Sequence, residues 1–181
     1  MKIKKILLFT TIIGLSLGLS SCGSFSSRLI RNDEKTADAR FKNIIEAIEK
    51  KDKEGLKKMF SPNALKEAKD IDDGIEYIMK FYKGKMKSRD EGTVITSDSK
   101  NEGVKKSELR CGYTVTTDED TYIVFFIDQI VNTKSTDNIG LYMLQIIKES
   151  DKKKEFDGGG EKTRCAGIYR PQNTTMKEES K

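Results

Sequence analysis

Asp128 interrupts the apolar run "YIVFFIDQIV", and four tyrosines, Tyr77, Tyr82, Tyr113 and Tyr142, fall in segments with helix or strand periodicity. A carboxylate base beside a phenol donor in an apolar pocket is the pairing that moves a proton on a small molecule. The same residues also have a structural reading. An aspartate can sit at the rim of the fold or pair with a surface lysine, and tyrosines pack half-buried with wet hydroxyls. The chain contains no histidine, which removes histidine-based triads, general bases and metal ligands. Two patterns imitate ion-binding loops and fail. In "DIDDG" Gly74 occupies a calcium-ligand position and the later glutamate is missing, so the acids read as helix caps. In "GGGEKT" Glu161 separates Gly160 from Lys162, which breaks a phosphate loop. Neither a metal nor a cofactor is expected.

Cys22 carries different chemistry. The chain opens with Lys2, Lys4 and Lys5, followed by an uncharged stretch from Ile6 to Leu19. As a helix that stretch would cover only about 21 Å, short of the roughly 30 Å hydrocarbon core, so it reads as an export signal and not a permanent span. Leu19-Ser20-Ser21-Cys22 resembles the bacterial lipobox, in which the cysteine thiol receives a diacylglyceryl group and becomes the first residue after cleavage. Two acyl chains at about 0.8 kcal/mol per buried methylene hold a domain stably on a membrane. The resemblance implies a signal peptide over residues 1–21, a lipid anchor at Cys22, and a place on the extracytoplasmic side of the cell membrane. Residues 22–32, small and polar at first, read as a tether.

Removal of residues 1–21 leaves a chain of one-domain length and takes the net charge from +5 to about +2. That balance offers no electrostatic argument for nucleic acid. The basic stretch "KGKMKSR" at 83–89 reads as a solvated helix-to-strand connection. Two cysteines remain, Cys111 and Cys165, and an exported chain lives where disulfides persist. A bridge between them would contribute roughly 4 kcal/mol in the chain-entropy model; two buried free thiols are the alternative.

These groups need elements to hold them. Ala37, Phe41, Ile44, Ile45 and Ile48 recur on one helical face between Asn32 and Lys51. Asp52 caps a second short helix, Ser61-Pro62 starts a third, and Asp70 caps a fourth carrying Ile71, Ile75, Ile78, Met79 and Tyr82, with Gly84 as its C-terminal stop. Beyond Gly92 the period becomes two. "GTVITSDSK" is a strand, and "KKSELRCGYTVTT" puts Leu109, Cys111, Tyr113 and Val115 on one face. "TYIVFFIDQIVN" is apolar on both faces and reads as a central strand, while "LYMLQIIKE" opposes Leu141, Met143 and Ile147 to Tyr142, Leu144 and Ile146. "SDKKKEFDGGGEKT" reads as a charged, glycine-rich loop with "GGGEKT" as its mobile part, "RCAGIY" as a last short strand, and residues 171–181 as a frayed tail. Helices followed by an antiparallel meander predict an α+β fold over residues 33–170, a curved sheet around N-terminal helices.

The segments "LKKMFSPNAL", "IDDGIEYIMKFYKGK", "YTVTTDEDTYIVFFI" and "DNIGLYMLQI" resemble the DUF5104 family of bacterial lipoproteins, grouped with the NTF2-like (cystatin-like) superfamily. The likeness covers most of Asp33 to Glu149. It implies a cone of bent sheet around helices with a pocket between them, and it carries over no catalytic residue. The expectation is a membrane-anchored module that binds a ligand or protein without catalysis. An isomerase- or dehydratase-like enzyme using Asp128 and a tyrosine is the alternative, and a homodimer through the outer face of the sheet is a third reading.

Overall fold

In the computed structural model residues 24–171 are described, with side chains from Asp33 onward. The proposed signal peptide and Cys22 lie outside the described residues. The chain divides into two compact units, Met1–Thr36 and Ala37–Lys181.

Helix α1 (Ser24–Glu49) buries Ala37, Phe41, Ile44, Ile45 and Ile48, the stripe its spacing predicts. It begins at Ser24, so most of the segment expected as a flexible tether is helical. Lys51 takes a left-handed conformation, φ 58°, and the chain turns directly into α2 (Lys53–Lys57), where the Asp52 carboxylate accepts from the Gly55 amide at 2.8 Å. Helix α3 (Pro62–Glu67) has proline at its first turn, and the Ser61 hydroxyl accepts from Ala64 N at 3.1 Å. Asp70 stands at the N-cap of α4 (Ile71–Phe81) but makes no capping bond. Its carboxylate instead pairs with Arg170. The helix ends at Tyr82 in extended backbone, with Gly84 two residues further on.

The sheet has six strands: β1 (Met86–Arg89), β2 (Thr93–Asn101), β3 (Val104–Thr117), β4 (Thr121–Asn132), β5 (Gly140–Lys148) and β6 (Gly167–Ile168). Strands β3, β4 and β5 form the predicted antiparallel meander, and β6 joins β5 in parallel. β1 and β2 share one edge of β3, pairing with its C-terminal and N-terminal parts respectively. The basic stretch expected as a connection therefore contains a strand. It lacks an apolar alternation because two of its four residues are exposed.

One face of the sheet packs on the helices through Leu109, Cys111, Tyr113 and Val115 of β3, Tyr122, Val124 and Phe126 of β4, and Leu141, Leu144 and Ile146 of β5. A bulge on β5 corrects the expected alternation there. Ile127 pairs with Met143 but Asp128 with Leu141, so Tyr142 is the extra residue. Leu141 is thereby turned to the helix side, while Met143 remains with Phe125 and Ile127 on the other.

That second apolar face explains the both-sided character of β4. The chain covers it with its own C-terminal segment, packing Phe156, Cys165 and Tyr169 on Phe125, Ile127 and Met143, so its apolarity requires no second copy. The glycine-rich loop in this cover is tied down. The Asp157 carboxylate accepts from the amides of Gly160 and Lys162 at 3.0 Å and from Thr163 at 3.3 Å, and also from the Thr163 hydroxyl. Burial opposes ionisation of Asp157, but these donors outweigh it and hold the carboxyl below its usual range. Gly159, at φ +73°, lies so close to Phe125 and Ile127 that a Cβ would fall 2.9 Å from the ring.

Cys111 and Cys165 are not joined by a disulfide, which corrects the expected bridge. Cys111 belongs to the helix-side cluster and Cys165 to the opposite one, so the sheet separates them.

Candidate functional site

Asp128 is fully buried. Strand β4 carries it on the helix side opposite Leu109 and Leu141, where an unpaired carboxylate would be costly. Arg40 of α1 supplies the partner. Its Nε donates to Oδ2 at 2.7 Å and its Nη2 to Oδ1 at 3.4 Å, a two-pronged contact that engages both oxygens. Asp128 is therefore neither at a wet rim nor paired with a lysine. Arg40 is absent from the sequence expectations, although its position carries a signal. It lies three residues after Ala37 and four before Ile44, on the edge of the apolar stripe, and a charged residue there calls for an opposite charge in the facing strand.

The tyrosines are distributed, not convergent. The Tyr113 hydroxyl donates to Asp38 Oδ1 at 3.1 Å, and Arg89 of β1 holds the other oxygen at 2.8 Å. The Arg89 guanidinium lies 5.2 Å from the Phe41 ring centre and 5.0 Å from that of Tyr113, a cation over two aromatic faces. Burial pushes the Tyr113 phenol above its usual range, and the Asp38 contact adds to this. Tyr142, the bulge residue, donates to Glu67 at 3.1 Å while Arg164 covers its ring at 5.0 Å. Burial and Glu67 both raise its titration. Tyr77 stacks on Phe81 with ring centres 5.3 Å apart.

Tyr82 packs against Tyr122 at 4.9 Å, and its buried hydroxyl has no hydrogen-bond partner among the described residues. Burial pushes this phenol well above the ordinary tyrosine range, with Glu49 adding to the effect. A buried donor left unmade costs about 1–3 kcal/mol. Tyr82→Phe is therefore expected to raise the unfolding free energy by about 1 kcal/mol in urea titration; a loss of stability instead would reveal a partner for the hydroxyl.

Described residues line three clefts of note. A charged one of 790 Å³ lies between the C-terminal end of α3 and residues 154–170, with Lys69, Lys162, Arg164 and Arg170 among its walls. Its acids are already engaged, Asp70 by Arg170, Glu67 by Tyr142, and Glu155 by Lys154 and Tyr169. Half-buried Cys165 also lines it, its thiol raised by burial and then by Glu67. A second cleft of 390 Å³ has Tyr77, Phe81 and Tyr122 as its aromatic walls and lysines 80, 83 and 148 around them. A third, of 230 Å³, lies on the outer face of the sheet beside Gly112 and Phe125. Asp128 lines none of these three. Among the described residues no group of three or more His, Cys, Asp or Glu side chains is placed to hold a metal ion, and no helix is long and apolar enough to cross a membrane.

No curated protein matches the chain. The family described as "Domain of unknown function (DUF5104)" matches residues 43–149, from the last two turns of α1 through β5 and the residue after it. That span covers α2, α3, α4 and five of the six strands and more than half of the sequence, and the chain belongs to the DUF5104 family.

Proposed function

We propose that this protein is a lipid-anchored, extracytoplasmic binding domain with an NTF2-like arrangement of sheet and helices, taking a ligand or protein partner without catalysing a reaction. The observation that carries the non-catalytic reading is the burial of Asp128 against Arg40: the carboxylate is fully buried, each oxygen accepts from the one guanidinium, and it lines none of the three clefts described above. A base needs a lone pair directed at its substrate. The hydroxyls of Tyr113 and Tyr142 are bound to other carboxylates, which leaves the isomerase- or dehydratase-like alternative without a carboxylate–tyrosine dyad at Asp128. Support for the NTF2-like arrangement comes from the element order and from the bulges at β3–β4 and β4–β5, since bulges bend a sheet and increase its twist. The anchor rests on the pattern ending at Cys22.

The anchor has a direct test. Cys22→Ser is expected to move the protein from the membrane fraction to the soluble fraction. Mass spectrometry of the unaltered protein should find an N-terminal diacylated Cys22. Any other N-terminus, or unchanged fractionation of the variant, removes the lipoprotein reading.

A further inference from the structure

The C-terminal cover of the outer sheet face ends at Phe156, and the groove of 230 Å³ begins there. Gly112 makes its floor. On β3 it lies opposite Phe125 of β4 and Thr93 of β2. Its φ is outside the left-handed region, and a Cβ would meet only the Phe125 ring, at an ordinary 3.7 Å. Neither backbone conformation nor crowding calls for glycine, so the effect of the missing side chain is to leave a notch in the sheet. Phe125 and Phe156 form one wall, edge to face with ring centres 5.5 Å apart. Ile95 of β2 forms the opposite rim and is 55% exposed, the largest fraction among the exposed large hydrophobic residues described.

The rim is cationic. Arg110 and Lys152 stand there against one carboxylate, Asp90. Asp90 Oδ1 already accepts from the Thr114 amide at 2.9 Å. Arg110 shares its partner Glu108 with Arg164, so two guanidiniums meet one carboxylate. An apolar site of roughly 150 Å³ accepts a benzene-sized molecule, and this groove is larger.

We infer that the outer-face groove binds a small aromatic carboxylate, its ring system in the notch over Gly112 against Phe125 and its anionic group toward Lys152 and Arg110. This assignment rests on the reading of the domain as a binding module and names the ligand class for it. Ring burial supplies affinity and the cationic rim selects against neutral isosteres.

The chain has no tryptophan, so an indole probe can be excited selectively. Indole-3-acetate is titrated with the full-length protein in nanodiscs, against empty nanodiscs, and followed by fluorescence anisotropy. Saturable binding is expected with Kd on the order of 100 μM for a ligand of this size. Indole-3-acetamide should bind at least about 5-fold more weakly, and Gly112→Val and Lys152→Glu should each weaken the acid about 10-fold, in keeping with a lost apolar contact or charge partner. Lys152→Glu alters an exposed side chain and keeps the test decisive if the strand variant fails to fold. Equal binding of acid and amide overturns the assignment, as does the absence of saturable binding. Binding weakened by Lys69→Glu in the charged cleft but not by the two groove variants overturns the groove while leaving a binding module in place.

Discussion

An Arg40→Ala variant is expected to lose about 3–5 kcal/mol of unfolding free energy, the cost of leaving one partner of a buried ion pair uncompensated. The stranded group is Asp128, whose side chain is 1% exposed. Asp128→Ala should cost less, about 1–3 kcal/mol, because the guanidinium it strands is 26% exposed and can turn toward water. A double-mutant cycle in urea, with Arg40→Met and Asp128→Leu as the apolar pair, should find the double variant more stable than Arg40→Ala alone. Equal costs for the two single alanine variants would show that the contact does not hold Asp128 in the asymmetric burial described. The prediction bears on function as well as stability. A carboxylate whose main partner is an arginine from the opposite layer acts as a pin between helix and sheet, which is the physical content of the non-catalytic reading.

Gly140→Ala is the second large effect, expected at about 2–4 kcal/mol because an L side chain would be strained and would also collide with backbone. Gly140 has φ +126°, and a Cβ there would stand 2.9 Å from Ser61 N and 3.0 Å from Met59 O. These are the atoms of a seam between the helical segment and the sheet. Ser61 N donates to Leu141 O, and Leu141 N donates to Met59 O, both at 2.9 Å, giving an isolated parallel bridge between Phe60 and Leu141. Side chains elsewhere can rotate away from an added methyl group, whereas these backbone atoms are held by the bonds of the seam. Urea titration of Gly140→Ala beside the less crowded Gly103→Ala separates the contributions. Gly103 has φ +80° but nothing within 4 Å of a Cβ, so its cost should be confined to conformation, about 1–2 kcal/mol. Equal losses would mean that the close approach at Gly140 contributes nothing.

Much of the scaffold can be read from local chemistry. The stripe through Phe41 and Ile48, the caps at Asp52 and Ser61, and the alternation of Leu109 to Val115 each arise within a few residues, where period and capping act. The strand "TYIVFFIDQIVN" coincides with β4 because a strand buried on both faces admits only apolar residues over most of its length. What escaped depends on partners distant in sequence. β1 is a strand because β3 offers it an edge, not because Met86–Arg89 alternates. The face of Leu141 is set by the bulge at Tyr142, and one inserted residue reverses every later assignment along a strand. The bridge between Cys111 and Cys165 failed for a related reason, since strand periodicity places Cys111 but says nothing of which side the returning chain will choose. At the candidate site, Asp128 was visible as an anomaly in an apolar run. Its partner lies 88 residues earlier, and recognising Arg40 required knowing which helix faces which strand.

The C-terminal cover has a consequence for synthesis. Phe125, Ile127 and Met143 are placed by strands that end at Lys148, whereas Phe156, Cys165 and Tyr169, which shelter them, come later in the chain. A nascent polypeptide emerging in order can pair β3, β4 and β5 and pack their helix-side residues before its last segment is available. During that interval the sheet presents an unsheltered apolar surface, the condition under which partly made proteins associate wrongly. The final residues of the folded unit thus act as a closing garment for the meander, and a chain stopped after β5 would have its strands in register while still wet on one side.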